Sequence, residues 1–163
     1  MCGALLETGA PVALVLEDDC VFHPDFLDAI DLALQIRLCW DFLQLNAIRA
    51  KRRFRQGKIG PYILNAYAGP ATGTGTYLVN RATATKLLPA VLPVTRPIDH
   101  EINRFFRYDF RLFGLEPFPS YSDDGGESQI TGTGFADVRK FRSYRRMPND
   151  LLSPGNYLRR VIW

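Results

Sequence analysis

Three consecutive acids close an apolar run in the segment VALVLEDDCVFHPDF, where Glu17, Asp18 and Asp19 follow Val12–Leu16. Like charges this close repel, so the cluster is either fully solvated or answered by a partner. Side chains alternate between faces along an extended chain. A strand continued through Asp19 would send Glu17 and Asp19 one way and Asp18 the other. Converging carboxylates are hard oxygen ligands that suit Mg2+ or Mn2+ and require neither His nor Cys. A cation held there would also relieve the repulsion. The competing reading is a strand end whose acids face water. The apolar run before the acids and the helix expected after them favour a site, because open α/β sheets bind ligands at the carboxyl ends of their strands.

Other residues could do chemistry. Asp99, in PIDHE, is a candidate general base; the alternative is a cap on a helix from His100 to Phe106. His100 and Glu101 begin something like HExxH, but position 104 is Arg, so a zinc-protease motif fails. His23, just before Pro24, reads as a helix-entry residue rather than a ligand. Asp123, Asp124, Glu127 and Ser128 lie in SDDGGES, a glycine-containing loop that is either solvated or turned toward a ligand. GTGT, residues 73–76, lacks the GK[ST] of a phosphate loop and reads as backbone turning close to a ligand or as a bulge.

Basic residues are unevenly placed. Arg49, Lys51, Arg52, Arg53, Arg55 and Lys58 crowd one stretch, expected as a loop that meets phosphate groups or is simply solvated. The C-terminal segments KFRSYRRM and YLRRVIW mix Arg with aromatics, which suits peripheral contact with an anionic membrane surface or packing on the domain. No nucleic-acid motif accompanies the charge, and no nucleic-acid partner is expected.

The chain that must position these groups has 163 residues, 47% hydrophobic and 23% charged, with net charge +3. That suits one globular domain with a substantial core. Its three cysteines fit no zinc spacing and read as reduced thiols of a cytoplasmic protein. No apolar run is long enough to span a membrane, and no signal peptide is recognisable.

Residues 3–8 read as the end of a short helix closed by Gly9 and Pro11. VALVL has the character of a buried strand. Pro24 opens a helix with Leu27, Ile30, Leu34 and Leu38 on its inward face. WDFLQL, YILNAY and TYLVN read as further strands. A helix is expected from Arg81, with Ala84, Leu87 and Leu88 inward, ending near Leu88 because Pro89 cannot donate the next hydrogen bond. Residues 93–125 read as mixed strand and loop. Strand, helix, strand is the repeating unit of an α/β fold.

The segment APVALVLEDDCVFHPDF resembles the central signature of glycosyltransferase family 25, which includes bacterial lipooligosaccharide galactosyltransferases and collagen galactosyltransferases. WDFLQLN, TGTGTYLVNRATATKLLPAV, RPIDHEI and GESQI resemble further blocks of that family in the same order. The blocks cover residues 10–130. The resemblance implies an α/β, GT-A-like (Rossmann-like) domain with a mixed sheet flanked by helices. It implies inverting, metal-dependent transfer from a nucleotide-sugar donor, UDP-galactose, to a saccharide or lipid-linked glycan such as lipooligosaccharide. Mn2+ or Mg2+ would be bound by Asp19 with Glu17, the main ligand being Asp19. Glu17, Asp18, Gly73, Thr74 and Ser128 would face the donor, and Asp99 would be the base. Family members begin with a strand carrying an Asn-Leu-Asp-Arg-like motif and a later Ser-His pair. Neither is present, so residues 1–163 read as one partial domain lacking the first family strand. The alternative is a non-catalytic relative that binds glycan or protein.

Overall fold

A computed structural model describes residues 2–47, 49–93, 98–123, 155 and 158–160. Their order is α1 (Cys2–Thr8), β1 (Val12–Leu16), β2 (Cys20–Phe22), α2 (Phe26–Gln35), β3 (Phe42–Gln44), β4 (Arg49–Ala50), β5 (Arg53–Ile59), β6 (Tyr62–Tyr67), β7 (Ala71–Thr72), β8 (Thr76–Asn80), α3 (Arg81–Val91), α4 (Ile98–Ile102), α5 (Phe105–Tyr108), β9 (Leu112–Glu116) and β10 (Ser120–Ser122).

Six strands form a mixed sheet in the order β1-β8-β3-β9-β6-β5. β3 and β9 are parallel, and the other neighbouring pairs are antiparallel. β1, β3, β9 and β5 therefore point one way, while β8 and β6 return. Residue parity assigns the two faces. Phe42, Tyr77, Val79, Tyr67 and Leu112 pack with Leu5, Ala84, Leu87, Ile102 and Phe105 from the helices α1, α3, α4 and α5. Leu43, Leu45, Leu78, Tyr62, Leu64 and Leu115 pack with Phe26, Ala29 and Ala33 of α2, and with Trp40. The result is an α/β domain with helices on both faces.

Local chemistry explains several boundaries. Gly9 takes φ +72°, the left-handed conformation that closes a helix without a Cβ penalty, just after α1. Asn80 caps α3 by accepting the Thr83 amide at 2.8 Å. Gly60, at φ +54°, and Pro61 make the two-residue turn that joins β5 to β6. The Trp40 indole donates to the Ala33 carbonyl at 3.0 Å, which fastens the end of α2 to the strand it feeds.

Five expectations need correction. β1 is an edge strand of half-buried character rather than a buried one, with Leu14 41% and Leu16 46% exposed. The inward stripe of α2 is Phe26, Ala29 and Ala33, with Ile30 partly buried; Leu27 faces out, and Leu38, also exposed, lies beyond the end of the helix at Gln35. The small alanines let the helix approach the sheet closely, which outweighs the longer leucines. Pro89 lies inside α3, which continues to Val91. So near the helix end it removes a single bond, and the last turn survives. The basic stretch is not a loop: it supplies β4 and β5, paired with β7 and β6. Within 93–125 the short helices α4 and α5 precede β9 and β10.

Candidate functional site

The acids stand where β1 ends. The strand stops at Leu16, and Asp18 and Asp19 form a turn before β2, so strict alternation does not run through the cluster. The Glu17 amide still bonds to the Gly75 carbonyl at 2.8 Å, extending the β1–β8 ladder by one residue. Glu17 and Asp18 are exposed, and Asp19 is half-buried.

The corner is built from the C-terminal ends of β1 and β3 and the loop that enters β8. Thr74 donates its hydroxyl to Glu17 Oε1 at 3.1 Å. Gly73, at φ +98°, makes the turn before it, and its carbonyl accepts Gln44 Nε2 at 3.3 Å. Cys20 Sγ donates to the Gly75 carbonyl at 2.8 Å and lies 3.0 Å from Thr76 Oγ1. Asn46 Nδ2 donates to Ser122 Oγ at 2.8 Å, and Ser120 Oγ to the Leu45 carbonyl at 3.0 Å. β10 pairs with β2, and the Asp123 amide bonds to the Asp19 carbonyl at 3.0 Å. The segment 120–123 is thus strapped across the acid turn. Gly75 has no room for a side chain: a Cβ would sit 2.5 Å from Asn46 Nδ2 and 2.7 Å from Ser122 Oγ.

Among the described residues, two buried oxygens in this region have no hydrogen-bond partner, Asp19 Oδ1 and Gln44 Oε1. A desolvated carboxylate oxygen left without a donor is costly, on the order of a few kcal/mol. A cation would remove that cost. Among the described residues no three His, Cys, Asp or Glu side chains converge to hold a metal ion. Mg2+ does not need such a cage when substrate phosphates and water complete its shell; one or two carboxylates suffice. Asp19 and Glu17 therefore fit a cation that arrives with a diphosphate, and fit poorly a permanently bound structural metal.

Gly73 and Thr74 lie beside the acids, with Thr74 bonded to Glu17; Asp18 is exposed in the turn. Ser128, Asp124 and Glu127 lie outside the described residues. Asp99 sits on α4, where its carboxylate accepts the neighbouring His100 amide at 2.8 Å, so it lies within a short helix rather than capping one. Its backbone, not its carboxylate, is linked to β7. Asn103 Nδ2 bonds to the Asp99 carbonyl and the Ala71 carbonyl, each at 2.7 Å, and Asn103 Oδ1 accepts the Ala71 amide at 2.9 Å. A buried amide thereby ties α4 to β7, two residues before Gly73. Among the described residues no contact joins the Asp99 carboxylate to Glu17 or Asp19.

The basic stretch divides. β4 pairs with β7 near the corner, whereas β5 is the opposite edge of the sheet from β1. Five strand spacings separate those edges, about 24 Å, so Arg53, Arg55 and Lys58 stand too far away to hold a diphosphate at Glu17. The C-terminal KFRSYRRM lies outside the described residues; Arg160 from the last segment bonds to the Asn103 carbonyl at 3.0 Å. No described helix is long and apolar enough to cross a membrane.

Ser120 stood in no motif read from the sequence, and Gln44, Asn46, Cys20, Thr76 and Ser122, though inside quoted segments, were given no role at the site. Gln44 offered one signal: a polar residue interrupting the apolar run of WDFLQL, now 1% exposed at the C-terminal end of β3. No protein-family model matches the chain, and comparison with curated proteins finds no relative.

Proposed function

We propose that this domain is a metal-dependent, inverting glycosyltransferase of the family 25 type, moving galactose from UDP-galactose to a saccharide hydroxyl of a surface glycan. The observation that carries the reading is the buried Asp19 Oδ1, which no described residue meets with a hydrogen bond, two positions after Glu17 at the carboxyl end of β1. The order of sequence blocks adds to it. Asp19 and Glu17 would hold Mn2+ or Mg2+ together with the donor diphosphate. When bound, the ion supplies neutralising charge for the departing nucleoside diphosphate. Glu17 is oriented by Thr74, and the Gly73–Gly75 backbone can approach the donor closely because no Cβ stands at either glycine. Asp99 would take the proton of the attacking hydroxyl. A carboxylate bound to a cation is a poor proton acceptor, so base and metal ligand must be different residues.

The test is calorimetric titration of Mn2+ into the protein with and without UDP, followed by transfer from UDP-galactose to a lipooligosaccharide acceptor. The expected result is weak Mn2+ binding that UDP tightens, lost in Asp19→Ala. Equal affinities in wild type and Asp19→Ala would remove the acid turn as the metal site. Binding of UDP-galactose without transfer would leave a glycan-binding module.

A further inference from the structure

β10 carries its side chains in inverted order. Its serines point into the domain: Ser120 Oγ donates to the Leu45 carbonyl, and Ser122 Oγ accepts from Asn46 Nδ2. Its tyrosine points out. Ser120 is 2% exposed and Tyr121 is 46% exposed. Burying a ring removes far more apolar surface from water than burying a serine, whose hydroxyl must also be matched. A strand that only covered the domain would be set the other way round. Here the serines pin the backbone from beneath, as does Cys20 of β2, bonded to the Gly75 carbonyl. A large aromatic surface stays in water above them.

Register defines this outer face. Tyr121 stands opposite Val21, and Ser122 opposite Cys20. The His23 amide bonds to the Pro119 carbonyl, and the Asp123 amide to the Asp19 carbonyl, so the same pairing runs one step further at each end. Residues two apart share a face. Val21, His23, Tyr121 and Asp123 therefore stand together on the side away from Ser120 and Cys20. The His23 and Tyr121 rings have centroids 5.5 Å apart and are tilted by 41°. Both residues are exposed, and Asp123, exposed as well, follows Tyr121 about 7 Å along the strand.

We propose that this face binds a neutral saccharide, with the Tyr121 and His23 rings stacked on the C–H side of a sugar ring and the Asp123 carboxylate accepting its hydroxyls. Charge selects the occupant. Segments 17–28 and 117–123 contain no Lys or Arg, and Glu17, Asp18 and Asp123 are exposed acids. Such a surface repels phosphates, nucleic acid and anionic lipid. A sugar is neutral, packs on rings through its C–H groups and donates its hydroxyls to carboxylates. The two rings, tilted on one face, form an open shelf rather than the enclosing cage that suits an organic cation. On the glycosyltransferase reading, on which this site rests, the sugar belongs to the acceptor glycan. The inner side of the ribbon meets Gly75 through Ser122 and Cys20, next to where the donor is expected, which leaves the outer side for the other substrate.

The test is an array of neutral oligosaccharides ending in glucose, galactose or N-acetylhexosamine, followed by titration of the tightest binder into the 163-residue chain. The wild type is expected to bind at least one. Tyr121→Ala should weaken that binding about tenfold, the worth of one good aromatic contact, with an unchanged circular dichroism spectrum, since Tyr121 is already substantially exposed. Tyr121→Phe keeps the ring and should bind as the wild type does. UDP and Mn2+ affinities should be the same in all three proteins. Oligosaccharide binding by a chain that takes neither Mn2+ nor UDP keeps this site and removes only the transferase reading. Binding to no member of the array overturns the proposal, as does unchanged affinity in Tyr121→Ala. Loss of UDP binding in Tyr121→Ala equal to the loss of oligosaccharide would assign the rings to the nucleobase, and displacement of the oligosaccharide by tetramethylammonium would assign them to a cation; either result overturns the proposal too.

Discussion

Thr74 and Glu17, 57 positions apart, meet at the end of the sheet, with the Thr74 hydroxyl donating to Glu17 Oε1 at 3.1 Å. One carboxylate oxygen is thereby occupied and the side chain is aimed. If Glu17 is a ligand, Thr74 stands behind it as the group that orients it. Thr74→Val keeps the shape and removes the donor. UDP-dependent Mn2+ affinity should fall by about tenfold, the low end of the effect of deleting such an orienting partner. Unchanged affinity, measured by titration, would mean that Glu17 needs no help from Thr74.

Asp99→Asn should lower transfer from UDP-galactose by about 10²–10⁴, the usual cost of losing a general base. UDP and Mn2+ affinities should stay near wild type, because Asp99 lies on α4, apart from the acid turn. Steady-state rates measured beside titrations separate the two quantities. Full activity in Asp99→Asn would place the base elsewhere, with Asp123, strapped to Asp19 through its amide, the next residue to replace.

Gly75→Ala puts a Cβ into the Asn46 and Ser122 side chains. Overpacking of this kind costs about 1–3 kcal/mol, read as a lower midpoint in urea. Asn46→Ala opens the same space, so the double variant should lose less stability than the two single changes added together. Strict additivity would show that the glycine is not held by that contact.

The other end of the sheet predicts a pH dependence. Asp41 accepts from the Arg111 amide at 2.7 Å, from Arg111 Nε at 3.0 Å and Nη2 at 3.1 Å, and from Asn80 Nδ2 at 2.9 Å. Burial pushes its pKa up, but the hydrogen bonds and charge of Arg111 and the Asn80 amide prevail and hold it below 3.8. The folded value is the lower one, so the stabilisation is complete above the unfolded value, near pH 4, and is lost as pH falls through the folded value. Asp41→Asn should cost about 1–2 kcal/mol at neutral pH, the lower figure being favoured because the Arg111 side chain is 42% exposed. Below about pH 4 the two proteins should converge. A constant difference from pH 7 to pH 3 in denaturant melts would show that the carboxylate charge contributes nothing.

Local pattern was enough to place much of the framework. VALVL, YILNAY and TYLVN are strands at the residues expected, because an apolar run bounded by turn formers leaves few alternatives. Gly9 closes α1 and Asn80 opens α3 through backbone chemistry confined to a few residues. The acid cluster, Gly73 and Thr74 could be singled out as candidates for a related reason: chemistry-bearing residue types stood at the ends of recognisable strands.

Strand order was not legible, and it decided the rest. VALVL reads the same whether it lies in the middle of a sheet or at its margin, since composition does not count neighbours; only the β1-β8-β3 pairing makes it an edge. The basic stretch looked like a loop because charge dominated its composition. Its pairing with YILNAY turned it into β5 and carried it to the far side of the sheet, away from the acids. Leu27 fitted the helical period as well as Ala29 and Ala33 did, and the closeness of α2 to the sheet chose the smaller residues; Leu38 fitted it too, but the helix stops at Gln35. Gln44, Asn46, Ser120 and Ser122 acquire meaning only where separate strands end together. A residue's type and near neighbours determine its local conformation, whereas contacts between distant segments set what it faces, and those come into being only when the whole sheet has formed.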